Sequence, residues 1–205
     1  MSAIEFYFDC SSPWTYLAIT RIGDVARRTG ATLDWKPILV GGIFNQVNKQ
    51  VYENRANQSH PKMRHMRKDL LDWANYYGVQ INWPTIFPIN SVKGMRAGIY
   101  AADQGKAEAF AIALCAAYWG DNRDISQDDE VVKVAESVGL DGAAALAAAN
   151  DPAIKERLKD NTQQVIDRGG FGSPTIFVNG TDMFFGNDRL ELVEWAINGR
   201  KPAAG

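Results

Sequence analysis

The chain has 205 residues, 46% of them hydrophobic and 22% charged, which is the composition of an ordinary soluble globular protein with room for one domain or one domain and a large insertion. A formal net charge of −2 excludes the basic faces that general nucleic-acid or membrane-surface binding requires, and no apolar run reaches transmembrane length. Cys10 and Cys115 lie far apart, and with His60 and His65 they form no metal-ligand spacing, so neither a metal nor a disulfide framework is expected.

Met1–Glu5 leads straight into a first strand without the basic and apolar segments of a signal peptide, which points to a cytoplasmic protein. Ala3–Phe8 is rich in β-branched and aromatic residues and reads as that buried strand. A sharp turn follows, and then a helix. Ser12 is a good N-cap, Pro13 fits the first helical position, Trp14, Ala18, Ile22 and Val25 repeat at helical spacing, and Gly30 ends the helix. Residues 31–36 read as a second strand, closed by Pro37, so the first forty residues form a β-α-β unit. Residues 41–58, rich in Gly, Asn and Gln and without a clean period, read as a loop with at most a turn of helix.

Helices then dominate. Pro61 opens one and Gly78 closes it, with Met63, Met66, Leu70, Trp73 and Tyr77 on one face. Two prolines make 82–88 irregular. Further helices are expected at 91–103 and 106–119, after a capping box at Ser126–Asp129, after Asp141, and from Asp151-Pro152 to Gly169-Gly170. The pattern returns to β at 175–178. Asn179-Gly180 is a hairpin turn, 183–185 is the returning strand, and a final helix covers about 189–198.

The chemistry gathers at two turns. Ser12 caps a helix, and the N-terminus of a helix stabilises a thiolate or another anion. Phe171-Gly172-Ser173-Pro174-Thr175 precedes the third strand. On their own these read as a plain helix cap and a plain X-Pro turn. Asp188 and Glu191 likewise read as a capping pair for the last helix. Together they resemble a thioredoxin-type site with Ser12 where the first cysteine of Cys-Pro-x-Cys would stand and Thr15 where the second would stand. Disulfide exchange needs an attacking thiolate and a resolving partner, and this turn supplies neither. If sulfur is handled here, the thiol comes from a bound molecule, for which glutathione is the obvious candidate.

The full set of motifs resembles the 2-hydroxychromene-2-carboxylate isomerases of the DsbA-like, kappa-class glutathione transferase group. It comprises Phe6-Tyr7-Phe8-Asp9 with Ser12-Pro13-Trp14-Thr15-Tyr16-Leu17-Ala18, Lys36-Pro37 with Gly41-Gly42-Ile43-Phe44, Asn82-Trp83-Pro84, Phe171 to Phe177, and Phe185-Gly186-Asn187-Asp188-Arg189-Leu190. The resemblance implies an α/β thioredoxin-like fold (β-α-β…β-β-α) with a large all-helical insertion. Residues 1–40 and 170–205 would form the thioredoxin-like domain and 41–169 the loop and helical insertion. It implies glutathione as cofactor, a homodimer, a small bicyclic aromatic carboxylate as substrate, and isomerisation of 2-hydroxychromene-2-carboxylate to trans-o-hydroxybenzylidenepyruvate in naphthalene-type catabolism.

The family's catalytic serine falls on Ser12 and its cis-proline loop on Ser173-Pro174. The γ-glutamyl contacts fall on Asn187 and Asp188, with Asn48 and Lys62 as further glutathione contacts. Trp14, Trp83, Phe87 and Phe185 are candidate walls for the substrate, and Arg189, Lys62 and Arg64 candidate partners for its carboxylate. The sequence departs from the family at Cys10-Ser11, where Cys10 reads either as a buried small hydrophobe or as a thiol near the site. A glutathione transferase or peroxidase, a DsbA-like oxidoreductase and a non-catalytic glutathione-binding module stand as alternatives.

Overall fold

β1 (Ala3–Phe8) runs through the middle of a four-stranded sheet of order β2-β1-β3-β4, with β2 at Thr32–Pro37, β3 at Thr175–Val178 and β4 at Asp182–Phe185. β2 lies parallel to β1, with Phe6 opposite Trp35, while β3 runs antiparallel to both β1 and β4. This computed structural model describes residues 1–57 and 59–199; Gln58, at the end of the expected loop, and 200–205, at the end of the expected thioredoxin-like unit, lie outside the described residues. Side chains alternate across the sheet as a period of two demands. Ile4, Phe6, Phe8, Ile176 and Val178 join the main core on one face, whereas Tyr7 and Phe177 join Ile38, Ile43 and Val165 on the other. Each large side chain buried this way contributes roughly 1.5–3 kcal/mol.

α1 (Pro13–Thr29) follows β1, and α10 (Leu190–Ile197), the last helix among the described residues, packs on α1. Between β2 and β3 lie α2 (Val40–Val47), α3 (Gln50–Ala56), α4 (Pro61–Tyr77), α5 (Val92–Asp103), α6 (Ala107–Cys115), α7 (Asp128–Ser137), α8 (Gly142–Asn150) and α9 (Pro152–Asp167). The fold is thioredoxin-like α/β, β-α-β and β-β-α on one sheet, with a helical insertion in the DsbA arrangement.

The largest departure from expectation is at 41–58, where α2 and α3 replace the loop. Tertiary packing overrides the weak propensity of Gly41-Gly42 here. Val40 and Ile43 are buried, and a Cβ on Gly42 would sit 3.3 Å from Thr162 Cγ2, so the missing side chain lets α2 lie close on α9. The helix expected over 106–119 is α-helical only to Cys115 and continues as a π turn over Ala116–Gly120, which buries Tyr118 and Trp119. Ser126 makes no capping box: Gln127 is the N-cap of α7, and the Ser126 hydroxyl donates instead to Asp124 Oδ1 at 2.6 Å. The last helix begins at Leu190 after a 3-10 turn over Asn187–Arg189, and Asp188 pairs with Arg189 at 2.5 Å rather than capping the helix with Glu191. Met66 points to solvent, so the buried stripe of α4 is Leu70 and Ala74, with Trp73 and Tyr77 half-buried beside it. No helix among the described residues is long and apolar enough to cross a membrane.

Candidate functional site

Strand β1 ends at Phe8, and the chain turns so tightly that the Ser12 N–H donates to the Asp9 carbonyl at 3.1 Å. Ser12 has extended geometry (φ −100°, ψ 124°) and its Oγ accepts the Thr15 N–H at 3.3 Å, which is the N-cap bond of α1. No acidic residue sits in the first turn of α1 and Arg27 and Arg28 occupy its last turn, so the positive end of the helix is left open to an anion.

The Ser173–Pro174 peptide is cis and the Ser173 end of this loop lies against the α1 turn. The Ser12 hydroxyl donates to the Ser173 carbonyl at 3.0 Å. The Ser173 hydroxyl accepts the Asp9 N–H at 2.9 Å and shares a hydrogen bond with Thr15 Oγ1 at 2.7 Å. Thr15, at the position of the second cysteine in the thioredoxin pattern, is thus a buried structural hydroxyl. Gly186 N donates to the Pro174 carbonyl at 3.2 Å and brings Asn187 and Asp188 to the same edge. Asn187 is only 2% exposed, and its buried Nδ2 makes no well-formed hydrogen bond, the Tyr77 phenol being the polar group that it faces. A buried amide with two donor hydrogens has capacity for a further acceptor.

Asn48 Nδ2 donates to the Phe171 carbonyl at 3.0 Å, so the end of α2 is fastened to the cis-proline loop. The Phe171 and Phe185 rings pack 4.4 Å apart, and both are partly open to solvent. Gly172 beneath them has no room for a side chain, since a Cβ there would meet Phe185 Cε2 at 2.8 Å.

The remaining candidates lie further out. Lys62 is exposed on the first turn of α4, its N–H donating to His60 Nδ1 at 3.2 Å, and Arg64 is exposed two residues on. Trp14 packs with Leu17, Leu70 and Ala74 on the α4 side. Trp83 is 48% exposed, with Phe87 and Trp119 at ring distances of 4.9 and 5.8 Å and the Arg67 guanidinium 5.6 Å above it. Arg189 is engaged with Asp188.

Cys10 is fully buried, and burial pushes its thiol well above the usual range, as it does for Cys115. Cys10 therefore behaves as a small core residue, its carbonyl taking the Trp119 indole N–H at 2.8 Å. One cavity adjoins the turn and a larger one lies along α1. The first, of about 280 Å³, is lined by Asp9, Ser11, Gly42, Phe44, Tyr52 and Ser91. The larger, about 820 Å³, is not at Ser12; it runs along α1 past Arg21, Trp73, Tyr76 and Tyr77 and touches the site only at Asn187 and Asp188.

Three features escaped the sequence reading. Asp9 stands in the Phe6-Tyr7-Phe8-Asp9 motif as a charge at the end of an apolar strand, with no sign of its partner on α2. The Arg67–Trp83 pair joins residues sixteen positions apart on separate elements. Tyr52 and Phe44, edge-to-face at 6.3 Å, lie on the helices read as loop.

Residues 3–198 match the model of the DSBA-like thioredoxin domain. The chain is 35% identical over 197 residues to a 2-hydroxychromene-2-carboxylate isomerase from Sphingobium xenophagum, covering 93% of this chain and 95% of that one. It is 26% identical to glutathione S-transferase kappa 1 from Homo sapiens, over 93% of this chain and 88% of the relative. Among solved structures it superposes on a 2-hydroxychromene-2-carboxylate isomerase with a TM-score of 0.84 at 29% identity, covering 96% and 94% of the two chains.

Proposed function

Because the chain belongs to the 2-hydroxychromene-2-carboxylate isomerase family, within the DsbA-like and kappa-class glutathione transferase group, we propose that it is a glutathione-dependent isomerase of 2-hydroxychromene-2-carboxylate with its sulfur site at Ser12. The observation that carries this reading is the pairing of Ser12, at the open N-terminus of α1, with the Ser173 carbonyl 3.0 Å away in a turn that has no accessible thiol of its own. The residues fit glutathione. Ser12 offers a hydroxyl donor, Asn187 a buried amide with donor capacity to spare, and Asp188 a carboxylate for an ammonium group.

Bound glutathione supplies a nucleophilic thiolate that adds to a conjugated double bond and leaves again, so that the bond can rotate. The protein's task is to hold that thiolate and orient the aromatic acid. A thiol of pKa about 8.5 is mostly protonated at neutral pH, and lowering it by about two units takes about 2.7 kcal/mol of differential stabilisation. The Ser12 hydroxyl rotates without moving its oxygen, so the proton it gives to Ser173 can turn to an anion at the helix N-terminus. One charge-assisted bond of about 1.5–3 kcal/mol with the helix terminus supplies what is needed. Ser173 presents its backbone to the peptide, Asn48 steadies that loop, and Lys62 adds positive charge on the rim. Trp14, Trp83 and Phe185 wall the aromatic substrate, and Arg189, released from Asp188, faces its carboxylate. The active form is a homodimer.

The test is conversion of 2-hydroxychromene-2-carboxylate followed by absorbance, with and without glutathione. Turnover that depends on glutathione supports the reading. Saturable glutathione binding with no conversion moves the chain to the transferase activity of its kappa-class relatives.

A further inference from the structure

We propose that Asp9 is the positioning residue of this site: its ionised carboxylate ties the Ser11–Ser12 turn to the first turn of α2 and so fixes where the Ser12 hydroxyl and the N-terminus of α1 meet the bound thiol. The effect on the thiol rests on the glutathione reading above; the tie itself does not.

Asp9 is bonded on every side. Its N–H goes to Ser173 Oγ at 2.9 Å and its carbonyl accepts Ser12 N–H at 3.1 Å. Oδ1 accepts the Ser11 N–H at 2.9 Å and Oδ2 the Val40 N–H at 2.8 Å. The residue is 1% exposed, and a carboxylate that deeply buried costs several kcal/mol unless donors surround it. Helix α2 needs that acceptor. Its N-cap is Leu39, which has no side-chain oxygen, so the free N–H of Val40 is satisfied from the turn after β1 instead. One side chain thus caps a helix, pins the catalytic turn and floors the smaller cavity.

Both oxygens accept N–H bonds, an arrangement that favours the ionised form, and a proton gained there would be shared with the Ser91 or Ser11 hydroxyl. Burial pushes the Asp9 carboxyl up, while the Ser11 and Val40 N–H groups and the Ser91 hydroxyl pull it down. The other titratable groups facing it are the Cys10 and Cys115 thiols, which burial keeps neutral. As pH falls through the raised value Asp9 gains a proton, the tie between the turn and α2 loosens, and activation of the thiol weakens.

The experiment uses the full chain as wild type, Asp9→Asn and Val40→Pro. Amide hydrogen exchange at Ser11 and Val40 and the NMR titration of the Asp9 carboxyl are read in the free protein. The thiolate absorbance of bound glutathione and the pH profile of turnover are read in the complex. Asp9→Asn is expected to hold Tm within about 4 °C, to speed exchange at one or both amides about tenfold, to shift the bound-thiol pKa, the loosened turn raising it against the loss of a nearby negative charge, and to abolish the acid limb of turnover. Val40→Pro removes the donor instead, at a first helical position whose preceding residue is already extended (φ −113°, ψ 103°). It is expected to raise the Asp9 carboxyl titration and move the acid limb to higher pH. Unchanged exchange and thiol titration in Asp9→Asn overturn the proposal, as does an unmoved Asp9 titration in Val40→Pro. Should Asp9→Asn fail to fold, Val40→Pro decides. Should the wild type bind no glutathione, the functional reading falls, and exchange with the carboxyl titration still decides the tie.

Discussion

The two sides of the Ser12 turn are built differently. Toward the sheet, Asp9, Thr15 and Ser173 are buried and bonded to one another, so this side is fixed before any ligand arrives. Toward α4, Lys62, Arg64 and Met66 are exposed and Trp83 is half open beneath Arg67. A low-dielectric, fully bonded wall is where a small electrostatic difference acts most strongly on a thiol. An open aromatic rim suits a flat substrate that must turn about one of its bonds. Under the proposed function, thiol activation belongs to the closed side and substrate fit to the open side, so variants on the two sides should fail in different ways.

The largest effect is expected at Ser12. Ser12→Ala should lower turnover by about 10²–10³-fold while glutathione still binds, and an equal fall from any open-side variant would erase the contrast. Next, Ser173→Ala leaves the Asp9 N–H without its acceptor inside the core and should cost about 1–3 kcal/mol in denaturant unfolding. Asn187→Ala sharpens the comparison, because it removes a buried amide whose polar neighbour in the free protein is the Tyr77 phenol. It should weaken glutathione binding about tenfold, close to 1.4 kcal/mol, with little change in unfolding; the reverse pattern would make Asn187 purely structural.

The closed side also has a pH signature. The folded Asp9 value is raised by burial, so the stability associated with this group is full below its unfolded value of about 3.9 and is partly lost as pH rises toward the raised value. Asp9→Asn should flatten the stability curve over that window, as thermal unfolding would read. The smallest effect is expected on the rim, where Trp83→Ala should raise the substrate KM a few-fold and leave glutathione affinity and Tm within about 2 °C of wild type.

The parts legible in the sequence are those whose signals are local. Ser12-Pro13 after an apolar strand, Gly30 at φ +65°, Ser173-Pro174 before β3 and the Asn179-Gly180 turn each announce themselves within a few residues, and each stands where its pattern puts it. What was missed depends on partners that the local pattern does not name. Gly41-Gly42 reads as a breaker until Thr162 of α9 is seen to need the space. Asp9 reads as a polar residue at a strand end until Val40, thirty-one residues on, is found to be its partner. Asp188 resembles a helix cap in sequence, yet Arg189 beside it takes the carboxylate.

The most direct test of the central claim, that this turn activates a thiol it does not own, is a pH titration of thiolate absorbance for glutathione bound to wild type and to Ser12→Ala. A wild-type value about two units below that of free glutathione, largely restored to the free value in Ser12→Ala, is the predicted result. Equal titration of bound and free glutathione would contradict the account, even if the tripeptide binds tightly.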